Sequence, residues 1–126
     1  MVGSVLFVCL GNICRSAAAE GIAKQQCEKM GLSLKIDSAG TSGWHIGEHP
    51  YAPMRAAALS HGYSINNLRA RLFKPEDFEK FDLILAMDED NRKKIEKQRP
   101  AGNNTPVKLF LDYAPEQPLR EMPDPY

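Results

Sequence analysis

The stretch VLFVCLGNICRS, residues 5–16, constrains the fold of this chain more than any other. Its first half is apolar, β-branched and free of charge, which suits a strand buried on both faces. It ends at Cys9, and a Gly11–Asn12 pair leads within a few residues into SAAAEGIAKQQCEKM, a run of helix formers. A buried strand, a tight loop and a helix, in that order, form the first half of a βαβ unit.

The rest of the chain continues that alternation. Ser4–Val8 is expected as the first strand, and Ser16–Met30 as a helix closed by Gly31 and weakened a little by Gly21. Leu34–Asp37 reads as a second strand ahead of a turn-prone SAGTSG. Pro53–His61 is expected as a helix with its proline near the first turn and Gly62 as its cap. Pro75–Lys80 reads as a short helix and Asp82–Met87 as a third buried strand. Asp88–Arg99 begins in acids and ends in bases, the order the helix dipole favours, and Pro100 ends it. Val107–Leu111 reads as a fourth strand. The pattern predicts one α/β domain: a four-stranded parallel sheet with right-handed connections, helices on both faces, and a loop site after the first strand. Ligands of such sheets bind beyond the carboxyl ends of the strands, which is where Cys9 stands.

Bulk properties exclude several functions. With 16 basic and 16 acidic residues the formal charge is zero, so nucleic acid held by overall charge is not an expected partner. Three cysteines without a CxxC spacing suit neither a disulfide framework nor a zinc site. The reducing cytoplasm is therefore the expected setting. VLFVCL is too short to span a membrane, and no basic segment precedes it as in a signal peptide.

The loop CLGNICRS has a chemistry of its own. Gly11 permits unusual backbone angles, and Asn12 tolerates the left-handed region better than most residues. A loop this tight ahead of a helix turns successive amides of Leu10, Gly11, Asn12, Ile13 and Cys14 inward, forming a nest for phosphate at the positive end of the helix. Arg15 adds a fork for two phosphate oxygens. Dipole, amides and guanidinium together are the setting that makes a cysteine such as Cys9 a thiolate nucleophile. Ser16 is placed to donate to that sulfur and to help it leave. By itself a Cys and an Arg at this spacing would be packing and a solvated first turn; strand, loop and helix in sequence favour chemistry.

These residues resemble the C-x5-R-S loop of the low-molecular-weight protein tyrosine phosphatases. The resemblance extends through IDSAGTSGWHIG, HG and FDLILAMDEDN to DPY at the end. It implies hydrolysis of phosphotyrosine in a protein substrate through a cysteinyl phosphate, without metal or other cofactor. The aspartate of DPY, Asp124, is then the general acid of the first step and the base of the second. Asn12, Ser38 and Asp88 match positions that support the loop, and Trp44 and Tyr126 match aromatics flanking the cleft. His61 matches a histidine that buttresses the site, although by chemistry alone it is a helix-end residue interacting with the dipole. His45 and His49 are expected in solvent, with contact at the cleft rim as the lesser alternative. Cys14 matches a loop cysteine that in some relatives pairs with the nucleophile. Asp88, Glu89 and Asp90 need no cation, since acids belong at a helix N-terminus.

Differences from the family pattern are Ala17 for the usual proline, the segment HPYAPMR, and an end at Tyr126, so that the domain is expected to lack the family's final helix and to expose an apolar patch. Rival activities on this fold are phosphoarginine hydrolysis, disfavoured by Ile13 where such relatives tend to carry Thr, and arsenate reduction, which needs thiols beyond Cys27. A binding module without turnover is the third alternative. Monomer and weak homodimer both remain open.

Overall fold

The computed structural model describes residues 3–113, and Asp124 and Tyr126 lie outside that range. Four parallel strands run in the order β2-β1-β3-β4: β1 Ser4–Cys9, β2 Lys35–Gly40, β3 Leu83–Ala86 and β4 Val107–Leu109. Helices α1 Arg15–Met30, α2 Ala52–Ser60, α3 Asp77–Lys80 and α4 Glu89–Glu96 connect them, and a 3-10 turn follows at Phe110–Tyr113.

β1 is central and buried on both sides, as an uncharged run must be. Leu6 and Val8 face a core with Phe73, Phe78, Phe81, Ile84 and Ile95, which α3 and α4 cover. Phe7 and Cys9 face the opposite core, with Ile36, Leu85 and Met87, under Ala19, Ala23 and Cys27 of α1. Each fully buried side chain of this size contributes about 1.5–3 kcal/mol. The expected helices on both faces are therefore present.

Chain direction across the sheet fixes where a ligand can enter. From β1 the chain moves outward to β2, then crosses back over β1 to β3 and on to β4. The loops leaving β1 and β3 thus diverge, opening a crevice above those two strand ends. Cys9 ends the first of these strands, and Asp88 follows the second.

Most element boundaries shift by a residue or more from expectation, and three of the shifts have a visible cause. β2 continues through Ser38, Ala39 and Gly40, read as a turn, because the register with Phe7, Val8 and Cys9 extends the pairing that far. α4 closes at Glu96 rather than Arg99: the Arg99 guanidinium stacks over the Phe78 ring at 4.9 Å and bonds Asn103 O at 3.1 Å. β4 stops at Leu109, where Phe110 turns to meet Phe7 edge-on at 5.5 Å.

Gly21, which weakens α1 locally, has a packing reason. A Cβ there would stand 2.3 Å from Cγ2 of Ile65, a β-branched side chain only 1% exposed. Overpacking costs about 1–3 kcal/mol and exceeds the gain in helix propensity of up to about 1 kcal/mol. Gly21→Ala is therefore expected to lower Tm by about 3–8 °C, read by calorimetry; an unchanged or raised Tm would show that Ile65 moves aside freely.

Candidate active site

The loop between β1 and α1 is shaped by what its carbonyls do. Cys9 O and Leu10 O accept from the amides of Thr41 and Ser42, each at 2.9 Å, and Ile13 O accepts from Tyr51 at 2.7 Å. In a trans peptide the N–H points opposite to the C=O of the same plane. Drawing those carbonyls outward therefore turns the amides of Leu10, Gly11 and Cys14 toward the hollow of the loop. α1 begins there with no side chain capping it and no acid in its first turn. Both conditions leave its positive end to an anion.

Asn12 stands at φ 60°, the one described non-glycine residue in the left-handed region. Such a conformation costs an ordinary residue roughly 1–2 kcal/mol, less for Asn. Here the strain is held by bonds on every side. Its amide N–H donates to Cys9 Sγ at 3.2 Å, and its Nδ2 donates to both Ser16 Oγ and Ser38 Oγ at 2.8 Å. Ser38 in turn donates to Glu20 Oε1 at 2.5 Å, and Lys24 Nζ donates to Glu20 Oε2 at 2.5 Å. Ser16 Oγ lies 3.0 Å from Cys9 Sγ. Having accepted from Asn12, it can aim its own hydrogen at the sulfur. Two donors therefore converge on Sγ, the arrangement that suits an anionic sulfur.

Cys9, 2% exposed, lies at the floor of a cleft lined by Leu10, Gly11, Ile13, Cys14, Trp44 and His45. Its walls are largely apolar. Trp44 is 77% exposed at the rim, so it is not a core anchor. His45 follows the lesser of its two readings, since it lines the cleft instead of standing in solvent. Its ring lies so close to Gly11 that a Cβ there would stand 2.9 Å from Cδ2, while Nδ1 is 3.1 Å from Glu48 Oε1.

Arg15 is 5% exposed, and one terminal nitrogen donates to Asp88 Oδ2 at 2.8 Å. The other Asp88 oxygen accepts the Asn91 amide at 2.7 Å and caps α4. One carboxylate thus starts the helix after β3 and orients the guanidinium after β1.

The structure brings together Cys9, the loop through Ser16, Ser38, Asp88 and Trp44. It does not bring His61 to them. His61 is exposed at the end of α2, its Nδ1 3.0 Å from Ala57 O and 3.2 Å from Ser60 Oγ, which corrects the expectation that it buttresses the site. Helix-end chemistry accounts for it. None of Cys9, Cys14 and Cys27 forms a disulfide. Sequence reasoning missed Glu20 and Arg71. Glu20 left one signal, an acid four residues after Ser16 on the small-residue face of a helix. Arg71 left none.

Among known proteins, the sequence pattern described as low molecular weight phosphotyrosine protein phosphatase matches residues 4–126. The chain is 42% identical to the low molecular weight protein-tyrosine-phosphatase YfkJ of Bacillus subtilis, over 98% of this chain and 80% of that protein. The crystal structure of YfkJ superposes with a TM-score of 0.94, covering 100% of this chain and 80% of that one. A low molecular weight phosphotyrosine protein phosphatase of Schizosaccharomyces pombe is 41% identical over 97% of this chain and 80% of its own length. The structure of a Drosophila arginine phosphatase is 34% identical, with a TM-score of 0.91 over 97% of this chain and 80% of that one.

Proposed function

The chain belongs to the low molecular weight phosphotyrosine protein phosphatase family, and from that premise we propose that it hydrolyses phosphotyrosine through a phosphorylated Cys9. The observation that carries the reading is the Cys9 sulfur, set at the floor of the cleft inside a loop whose amides turn inward and met by two donors.

The nest amides and the Arg15 guanidinium hold the nonbridging oxygens and gather the charge that spreads over them in the transition state. The Cys9 thiolate attacks phosphorus in line with the ester oxygen, forming the S–P bond as the P–O bond breaks. Asp124 gives its proton to the departing phenolate oxygen. It then takes a proton from the water that attacks the phosphocysteine, releasing phosphate and thiolate. Ser16 and Asn12 stabilise the sulfur as it leaves. The apolar walls and Trp44 receive the aryl ring, and a phosphotyrosine-bearing protein in the cytoplasm is the corresponding substrate.

Position 13 distinguishes this from phosphoarginine hydrolysis. Ile13, 5% exposed, is an apolar side chain in the cleft lining and itself offers a substrate guanidinium no hydrogen-bond partner. The test is steady-state hydrolysis of phosphotyrosine and phosphoarginine side by side, with acid-quench trapping of the phosphoenzyme. A higher kcat/KM for phosphotyrosine and phosphate on Cys9 are expected; preference for phosphoarginine would overturn the substrate assignment. Asp124→Asn is expected to lower kcat/KM, which reports the steps up to the phosphoenzyme, about 10²-fold on phosphotyrosine, the scale of a general acid, and much less on p-nitrophenyl phosphate, whose leaving group needs no proton. Equal losses on both esters would remove Asp124 from that role.

A further inference from the structure

Building on the phosphatase reading, we propose that Arg71 is a positioning residue for the catalytic loop, acting through the backbone it anchors rather than through contact with substrate. Its guanidinium ties two elements together. Nε donates to Asp37 Oδ2 of β2 at 3.1 Å, and the two terminal nitrogens grip Asp77 at the start of α3, each at 3.1 Å. Asp77, with a side chain 4% exposed, also accepts the Lys74 amide at 2.9 Å and is fixed from both sides. Burial alone would pull the Arg71 pKa down, but the bonds and charges of Asp77 and Asp37 carry it above its ordinary value, so the clamp stays charged.

The main chain of the same residue bears on the catalytic loop. Arg71 O accepts from Gly40 N at 2.8 Å, and Gly40 O accepts from Phe73 N at 2.7 Å, making a short extra edge on β2. Gly40 lies directly under the loop: a Cβ there would stand 2.8 Å from Leu10 O and 3.1 Å from the Gly11 carbonyl carbon. Arg71 N donates to Asn12 Oδ1 at 3.0 Å. Because an N–H can only donate, this bond fixes which end of the Asn12 carboxamide faces it. Nδ2 is thereby directed to Ser16 and Ser38, and Ser16 keeps its own hydrogen for the Cys9 sulfur. Asn12 is 2% exposed, so water cannot take the place of the Arg71 amide if the clamp loosens and that amide shifts. The clamp thus sets the amide orientation on which the two donors at sulfur depend.

The test compares Arg71→Met, which keeps the stem and removes the fork, with Arg71→Lys, which restores the charge. Turnover of phosphotyrosine is normalised to Cys9 alkylated by iodoacetate, and protection of Cys9 by inorganic phosphate is measured in parallel. Arg71→Met is expected to lose roughly tenfold in normalised kcat with KM changed less than about threefold, and phosphate protection to weaken about threefold; a displacement of about 1 Å can cost 10²-fold. Arg71→Lys, which keeps the charge without the fork, regains part of both. A fall in Tm with normalised kcat and protection unchanged would overturn the proposal, leaving Arg71 a stabiliser only. If Arg71→Met does not fold, Asp77→Asn decides. It should show the same losses at about threefold, and parental values would overturn the proposal. Should the parent chain itself turn nothing over, the phosphatase reading falls, and phosphate protection alone decides the role of Arg71.

Discussion

Cys9→Ser is expected to abolish turnover, by at least about 10⁴-fold, the scale on which removing a nucleophile acts, while phosphate still binds. Oxygen and sulfur differ little in size, so the loop keeps its shape. What changes is that a serine hydroxyl, with no base beside it among the described residues, stays protonated and does not attack phosphorus. The amide of Asn12 and the hydroxyl of Ser16 would then face a neutral oxygen that is no leaving group for a second step. Single-turnover assays at high enzyme concentration, with phosphate affinity from calorimetry, separate the two properties. Activity within about 10²-fold of the parent would mean that the phosphoryl group does not pass through residue 9.

Arg15→Ala is expected to be nearly as damaging, costing about 10³-fold in kcat/KM, since one lost transition-state donor costs 10²–10³-fold and a guanidinium supplies two. A second effect adds to it. Removing Arg15 leaves the carboxylate of Asp88, whose side chain is 22% exposed, uncompensated beside an incoming dianion. Arg15→Ala with Asp88→Asn should therefore recover part of the loss, because the amide keeps an oxygen for Asn91 while dropping the charge. Breaking a buried pair also costs stability, about 3–5 kcal/mol, so Tm must be read with the kinetics. A double variant no faster than Arg15→Ala would show that Asp88 repels nothing in the complex.

The strands and the Cys9 loop were legible because they depend on short-range pattern. VLFVC and DLILAM read as buried strands from their apolar runs. Gly–Asn marked the loop, and Asn12 does occupy the left-handed region, at φ 60°. Ser38–Gly40 did not read as strand, since its residues favour turns and only pairing with Phe7–Cys9 overrides that preference. The supports of the loop depend on contacts no local window contains. Asn12 meets Ser38 across 26 residues and Arg71 across 59. His61 shows the opposite error: a histidine beside a glycine matched a pattern, while in space its ring bonds to its own helix.

The placement of Trp44 has a practical consequence. It is the chain's single tryptophan, and it stands in water at the mouth of the cleft. Indole fluorescence excited near the red edge of absorption therefore comes from one place, the lining of the cleft in which chemistry is proposed. Arrival of an aryl group would be visible as a change in colour or intensity, in a stopped-flow cell, with no label attached.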